Sequence, residues 1–420
     1  MGDGTGGPSR SSNPVRYTWY ALCGLLIALT VVQLAFILSD TRNGWDYRVY
    51  QAATWVFDNN ENPYVPATIQ NYTNDILPFV YPPHTLILFW VFRMFLFFDI
   101  HVYYAFLVAL LVAGSYLVLK MDDRPEYLLL FTLVFTAFIS LSWNFLTGNK
   151  AIVLMFLFVV ALFLLVHNRL YLSAAVMGIM VSFSLVPLPF IALYLVVRRP
   201  LRDRVCAILA SAGTVAGIFF VSFLLYPALM GSYLRFLTGG ESPLFEIGGW
   251  NTPTPYLMFS DLLSRAQIGG SVTLAIVSVV YIALVLVPVY FLIRDDTKTD
   301  LFVYSLATLA IFMILPRTKP YDFILLAVPL YFILKGYTYP WRIAALAGIS
   351  LMPLAVWYAL GLLPDGALPY VLDQYVQAVS LFFVFALVVV KERFFSEHDE
   401  RPGQGDGDAE APREVYCREM

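Results

Sequence analysis

Residues 17–39 read YTWYALCGLLIALTVVQLAFILS, a run of 23 positions without one charged side chain. About 20 apolar residues, at roughly 1.5 Å rise each, cover a hydrocarbon core about 30 Å thick, so this stretch reads as a helix that crosses a bilayer. No small-residue cleavage pattern follows it, which makes it a retained helix rather than a signal peptide. The whole chain has the same character. Of its 420 residues 60% are hydrophobic and 13% charged, with a mean hydropathy of +0.72, whereas a soluble domain carries about 25% charged residues. Such a composition excludes a water-soluble enzyme and offers no basic surface for nucleic acid. Membrane lipids are its expected surroundings. Cys23, Cys206 and Cys417 are scattered, as are His84, His101, His167 and His398, so no disulfide framework, metal site or other cofactor is expected.

Working outward from the first run, further apolar stretches occupy 85–98, 101–119, 128–146, 151–166, 170–197, 205–230, 271–293, 301–315, 323–334, 343–363 and 376–390. The sequence therefore predicts an all-α polytopic membrane protein of about twelve transmembrane helices. Residues 17–391 form the membrane domain, between a Gly-, Ser- and Pro-rich tail (1–16) and an acidic tail (392–420), both expected to be disordered. Arg198, Arg199, Arg202 and Arg204 crowd one short loop, and lysine and arginine favour the cytoplasmic side. Both tails then lie inside. Segments 40–84, 231–270, 316–322 and 364–375 lie outside, and by the same alternation 147–150 lies inside. A multi-pass cell-membrane protein with its site on the outer face is the expectation.

In the first outer loop, aromatic and aliphatic residues recur at helical spacing from Asn43 to Phe57, which predicts a helix lying in the membrane interface. Asp46 opens it. An aspartate at a helix start is commonly an N-cap, and one held where bilayer meets water can also take a proton from an acceptor hydroxyl. Prolines in Asn62-Pro63-Tyr64 and in Tyr81-Pro82-Pro83-His84 fix a rigid return to the membrane. There Tyr64, Tyr81 and His84 read either as interfacial or helix-end residues or as substrate contacts. Pro316-Arg317-Thr318-Lys319-Pro320-Tyr321-Asp322 puts two cations into an outer turn. They either snorkel to headgroups and pair with Asp322, or bind a specific anion such as a lipid phosphate.

The order of these motifs resembles the C-type membrane glycosyltransferases, and within them family 87, the polyprenol-phosphate-mannose-dependent mannosyltransferases. The resemblance rests on Asp46-Tyr47 with Tyr50 and Ala52-Ala53, Asn62-Pro63-Tyr64, Tyr81-Pro82-Pro83, Thr147-Gly148-Asn149, Pro187 and the turn from Pro316 to Asp322. It implies a hexose, mannose by analogy, moved with inversion from a polyprenyl or dolichyl phosphate carrier to a glycan, glycolipid or glycoprotein acceptor. Asp46 is the implied base and Arg317 and Lys319 the implied phosphate ligands, with Tyr50, Tyr64, Tyr81, His84, Tyr321 and Asp322 as candidate substrate contacts. Three positions depart from the family pattern. Gly148-Asn149-Lys150 stands where Gly-Gln and a nearby Asn are frequent, and its expected inner location leaves it outside the site. Ser184, ahead of Pro187, replaces a common lysine, and Asn60 or Glu61 replaces a usual glycine. A transporter or lipid-linked sugar flippase is the rival expectation, since twelve spans with few charges also suit alternating access.

Overall fold

The computed structural model describes residues 14–40, 42–73, 77–95, 99–238, 252–267, 271–359 and 367–395. The expected tails, apart from 14–16 and 392–395, and much of the loop 231–270 fall outside them. No β-strand forms among the described residues. In hydrocarbon each backbone N–H and C=O needs an internal partner, which a helix provides within one segment.

In chain order the helices are α1 (Pro14–Ser39), α2 (Trp45–Asp58), α3 (Pro66–Gln70), α4 (Pro83–Phe95), α5 (Ile100–Lys120), α6 (Tyr127–Thr136), α7 (Ser140–Thr147), α8 (Ala151–Val166) and α9 (Leu170–Phe183). They continue as α10 (Leu201–Leu225), α11 (Pro227–Thr238), α12 (Pro255–Arg265), α13 (Ser271–Ile293), α14 (Asp300–Ile314), α15 (Ala327–Leu334), α16 (Tyr339–Leu346), α17 (Met352–Tyr358) and α18 (Ala367–Phe394). Seven are long and apolar enough to cross a membrane, counting α6 with α7 and α16 with α17 as single passages. Five shorter passages complete the bundle: α8, α9, the 3-10 segment Leu188–Leu195, α14, and the 3-10 turn Pro320–Leu326 running into α15. Of these, α14 and α15 are the most enclosed. Every residue of α15 is buried.

Two expected spans change. The described part of the stretch 85–98 stays at the end of the bundle that holds α2. Its helix α4 has 13 residues, and Trp90 donates to Asp58 at the end of α2 at 2.5 Å, while Arg93 ion-pairs with the same carboxylate. Ile100 then starts α5 beside Gly44, just ahead of α2. A charged Arg93 in an apolar run is costly unless partnered, and the partner available lies on the surface helix. The stretch 170–197 makes two passages instead of one. Helix α9 stops at Ser184, which is extended, because Pro187 and Pro189 cannot continue an α-helical ladder. The chain returns as the 3-10 segment Leu188–Leu195. Ser182 receives His84 at one end of this hairpin, and Arg199 donates to Asn168 at the other.

The two changes cancel for all later loops but not between them, so 147–150 lies at the same end as α2, opposite to the expectation. Lys120, Arg124 and Arg169 join the end that holds the N-terminus of α1, and Lys150 leaves it. The imbalance of cations between the two ends is sharpened, in the sense the positive-inside rule requires.

Helix α2 is the expected surface helix. It buries Tyr47, Val49, Tyr50, Ala52, Ala53, Thr54 and Val56 and leaves Trp55 exposed. Its N-cap, however, is Gly44, with φ of 85°, and Asp46 sits inside the first turn without a capping bond. Gly44 N–H donates to the Leu146 carbonyl at 2.8 Å. Gly148, with φ of 69°, ends α7 directly beneath α2: a Cβ there would stand 2.7 Å from Tyr47 Cβ and 3.3 Å from Gly44 Cα. Two glycines thus let a surface helix and an intramembrane loop touch through their backbones.

Gly148→Ala is accordingly expected to lower the Tm by several degrees, since a non-glycine residue with positive φ costs on the order of 1–3 kcal/mol before the clash with Tyr47 is counted. A thermal-shift measurement in detergent checks this. A Tm equal to wild type would show that the contact between α2 and 148 is not close.

Candidate functional site

The contact at Gly148 brings Asp46 to the loop between α7 and α8. Asn149 Nδ2 donates to Asp46 Oδ2 at 2.8 Å, and Asn149 Oδ1 accepts from Ala151 N–H at 2.9 Å, which caps α8. One amide therefore both starts a helix and orients the carboxylate. Tyr50, Tyr81, Tyr103 and Tyr321 surround Asp46 closely enough to feel its charge. Burial pushes its carboxyl up from the ordinary range to about 6, while the Asn149 bond and the Lys319 and Lys150 charges favour the ionised form.

Next to this carboxylate opens a cavity of 310 Å³. Its polar lining is Asn149, Lys150, Arg317, Lys319, Tyr321, Asp322, Tyr81 and Ser184, and its apolar lining includes Leu154, Leu185, Leu188, Phe236, Leu237 and Leu315. The turn that carries the cations is held from two directions. Asp322 Oδ2 accepts the Lys319 backbone N–H at 2.8 Å, closing the turn, and Asn144 of α7 donates to the Tyr321 carbonyl at 3.0 Å. Asp322 thus shapes the turn as well as lining the cavity.

Of the residues singled out in the sequence, Tyr81, Arg317, Lys319, Tyr321 and Asp322 line this cavity and Asp46 adjoins it. The others stand behind its wall. Tyr50 places its hydroxyl 3.2 Å from that of Tyr81 and stacks on Phe89 with ring centres 4.7 Å apart. Tyr64 donates to the Tyr81 carbonyl at 2.8 Å and packs on Phe79 and Tyr233. His84 lies 2.7 Å from the Ser182 carbonyl and edge-on to Phe219, a helix-end role that joins α4 to α9. Asn62 makes a turn of its own, accepting Tyr64 N–H at 3.0 Å.

Sequence reasoning missed Asn149 and Lys150. Their motif was visible, but the count of crossings put it on the wrong side. Lys150 is buried, with its Nζ 3.8 Å from the centre of the Tyr81 ring. No group of three or more metal-ligating side chains occurs among the described residues.

The fold and this cavity together describe an all-helical membrane protein with a buried carboxylate beside a cationic, partly apolar cavity. Residues 79–316 match glycosyltransferase family 87, and the chain belongs to that family: it is a membrane glycosyltransferase of the C type. Among solved structures it is similar to the crystal structure of ArnT from Cupriavidus metallidurans bound to undecaprenyl phosphate, with 12% identity over 87% of this chain and 76% of that one and a TM-score of 0.42. No curated protein shows a significant sequence match.

Asn149→Ala removes the bond that favours the charged carboxylate, so the Asp46 titration should move upward from about 6. Infrared difference spectra of the carboxyl stretch, with Asp46→Asn as the blank, follow that midpoint. A midpoint unchanged by the substitution would mean that Asn149 does not bond Asp46 in the membrane.

Proposed function

We propose that this glycosyltransferase moves a hexose, mannose being the sugar the family resemblance favours, from a polyprenyl or dolichyl phosphate to the hydroxyl of a glycan, glycolipid or glycoprotein acceptor. The outer face of the cell membrane is the place of reaction, supported by the excess of lysine and arginine at the opposite end. The observation that carries the reading is the placement of Asp46 beside a cavity lined by Arg317 and Lys319 and by aliphatic side chains. A lipid-linked sugar needs those three things: cations for its phosphate, an apolar path for its tail, and a base near the anomeric carbon.

Asp46 takes the proton of the acceptor hydroxyl. The oxygen attacks the anomeric carbon from the side opposite the phosphate, the bond from that carbon to the phosphate oxygen breaks, and the electron pair leaves with the lipid phosphate. Inversion follows from the single displacement. The cations already face the phosphate before its further charge develops, so little reorganisation accompanies the step. A raised carboxyl pKa suits a base that must hold the proton it removes.

The transporter reading asks for polar groups within the bilayer. The larger cavity of 700 Å³, lined by α1, α5, α6 and α7, contains no Asp, Glu, Lys or Arg. Lys150, Arg317, Lys319 and Asp322 line the smaller cavity instead, with Asp46 beside it.

Asp46→Asn is expected to reduce transfer by about 10² to 10⁴, the usual loss for a general base, with a Tm close to wild type because Asp46 caps nothing. Purified protein assayed with polyprenyl-phosphate sugars against candidate acceptors tests it, and more than a tenth of wild-type transfer would remove Asp46 as base. Replacing Arg317 and Lys319 together by Gln should weaken donor binding and slow transfer, and Arg317→Lys alone should also be damaging, because a planar fork is exchanged for a point charge. Unchanged donor affinity and turnover in the double variant would assign these cations to bulk lipid.

A further inference from the structure

Among the cations of the cavity, Lys150 is in an unusual position. It is 3% exposed, yet its side chain lines the cavity. Its ammonium rests on the face of Tyr81 at 3.8 Å. Among the described residues this ammonium makes no hydrogen bond or ion pair. A lysine buried without a hydrogen-bonding partner is costly, and a cation–π contact of about 0.5–2 kcal/mol offsets only part of that. It is also the N-cap residue of α8, whose 16 residues direct their positive end toward the same space. Lysine and helix end together make a strongly anion-seeking place. The groups that face it are Asp46 from α2, Tyr81 ahead of α4, and Arg317, Lys319, Tyr321 and Asp322 from the turn before α15. Burial lowers the lysine to about 7, against the pull of Asp322 and Asp46.

The proposed transfer moves one negative charge. Before it, the donor is a phosphodiester with one charge and Asp46 is ionised; after it, Asp46 holds the acceptor's proton and the lipid phosphate is a monoester with up to two charges, its second pKa being about 6. Total charge is conserved, but it shifts from Asp46 to the phosphate, and Lys150 faces both. We propose that Lys150 is the leaving-group residue, whose ammonium binds the phosphate oxygen released from the sugar and so discriminates a lipid phosphate monoester from a diester. This rests on the donor reading above and adds to it a residue whose contact strengthens as the reaction proceeds.

The experiment compares a short polyprenyl phosphate with its methyl diester as ligands for the purified full chain, so that neither the sugar nor the acceptor need be known. Wild type should bind the monoester about tenfold more tightly near pH 7, the range of a hydrogen bond to a charged group. Lys150→Met should remove most of that preference while changing diester affinity by less than about threefold, and Lys150→Arg, of unchanged charge, should keep it. As the pH rises beyond 7 the wild-type preference should decline with loss of the ammonium proton, whereas in Lys150→Arg it should persist. A Met variant that keeps the preference, or that loses affinity for both lipids alike, overturns the proposal and leaves the donor reading intact. Wild-type protein that binds neither lipid overturns the donor reading and this inference with it.

Discussion

The N–H of Gly44 meets the carbonyl of Leu146 at 2.8 Å, and two residues further on Gly148 lies against Tyr47 with no room for a methyl group. Through this contact a helix on the membrane surface is joined by its backbone to a loop between two spanning helices. Asp46 reaches Asn149 only because of it, and Asn149 in turn starts α8. The carboxylate, the helix end and Lys150 therefore move as one piece, and this part of the polar lining of the cavity is fixed by covalent neighbours of a single close approach. A side chain at Gly148 would press on Tyr47 and the Gly44 backbone, and one at Gly44 on Ile100 of α5.

The cavity owes its shape to short and broken helices. At 184–189 the chain stops being α-helical, turns through Pro187 and Pro189, and leaves as a 3-10 segment. Irregular backbone at this depth is tolerated where it is enclosed in protein or lines a cavity, and this one does line it. A second break, between α6 and α7, places Phe138 and Ile139 at φ of 56° and 50°. The carbonyl of Phe138, freed by the bend, accepts from Gln377 of α18 at 3.1 Å, and the Thr136 hydroxyl donates to Ser350 at 2.9 Å. The bend also brings Asn144 to the Tyr321 carbonyl, which seats the cationic turn.

The opposite end of the bundle is fastened differently. Asp122 receives both Tyr331 and Lys335, the latter at 2.7 Å. Arg342 forks onto Glu126 at 2.7 and 2.8 Å, and Lys298 pairs with Glu392. These ion pairs join short loops to the ends of α15, α16 and α18, and each has its partner. At the site end Lys150 faces a cavity without one. That difference separates charges that hold helices together from a charge set aside for an anion.

Composition and hydropathy by themselves determined that this chain is an all-helical membrane protein and that α2 lies on its surface. Those features are local: apolar runs, helical spacing and prolines act over a few residues. Only the tertiary structure decided which end holds Gly148-Asn149-Lys150, because sidedness is a parity count, and a single helix that fails to cross reverses every loop until another error restores it. Arg93 could be assigned to the surface only once Asp58 stood beside it, and the run 170–197 is apolar whether it makes one passage or two. Tyr50 and Tyr64 share the chemistry of Tyr81, yet three-dimensional packing put them behind the wall and Tyr81 in it. Hydropathy records what each segment is dissolved in, whereas the site is made by which segments touch, and that depends on backbone approaches such as Gly44 to Gly148 that have no signature along the chain.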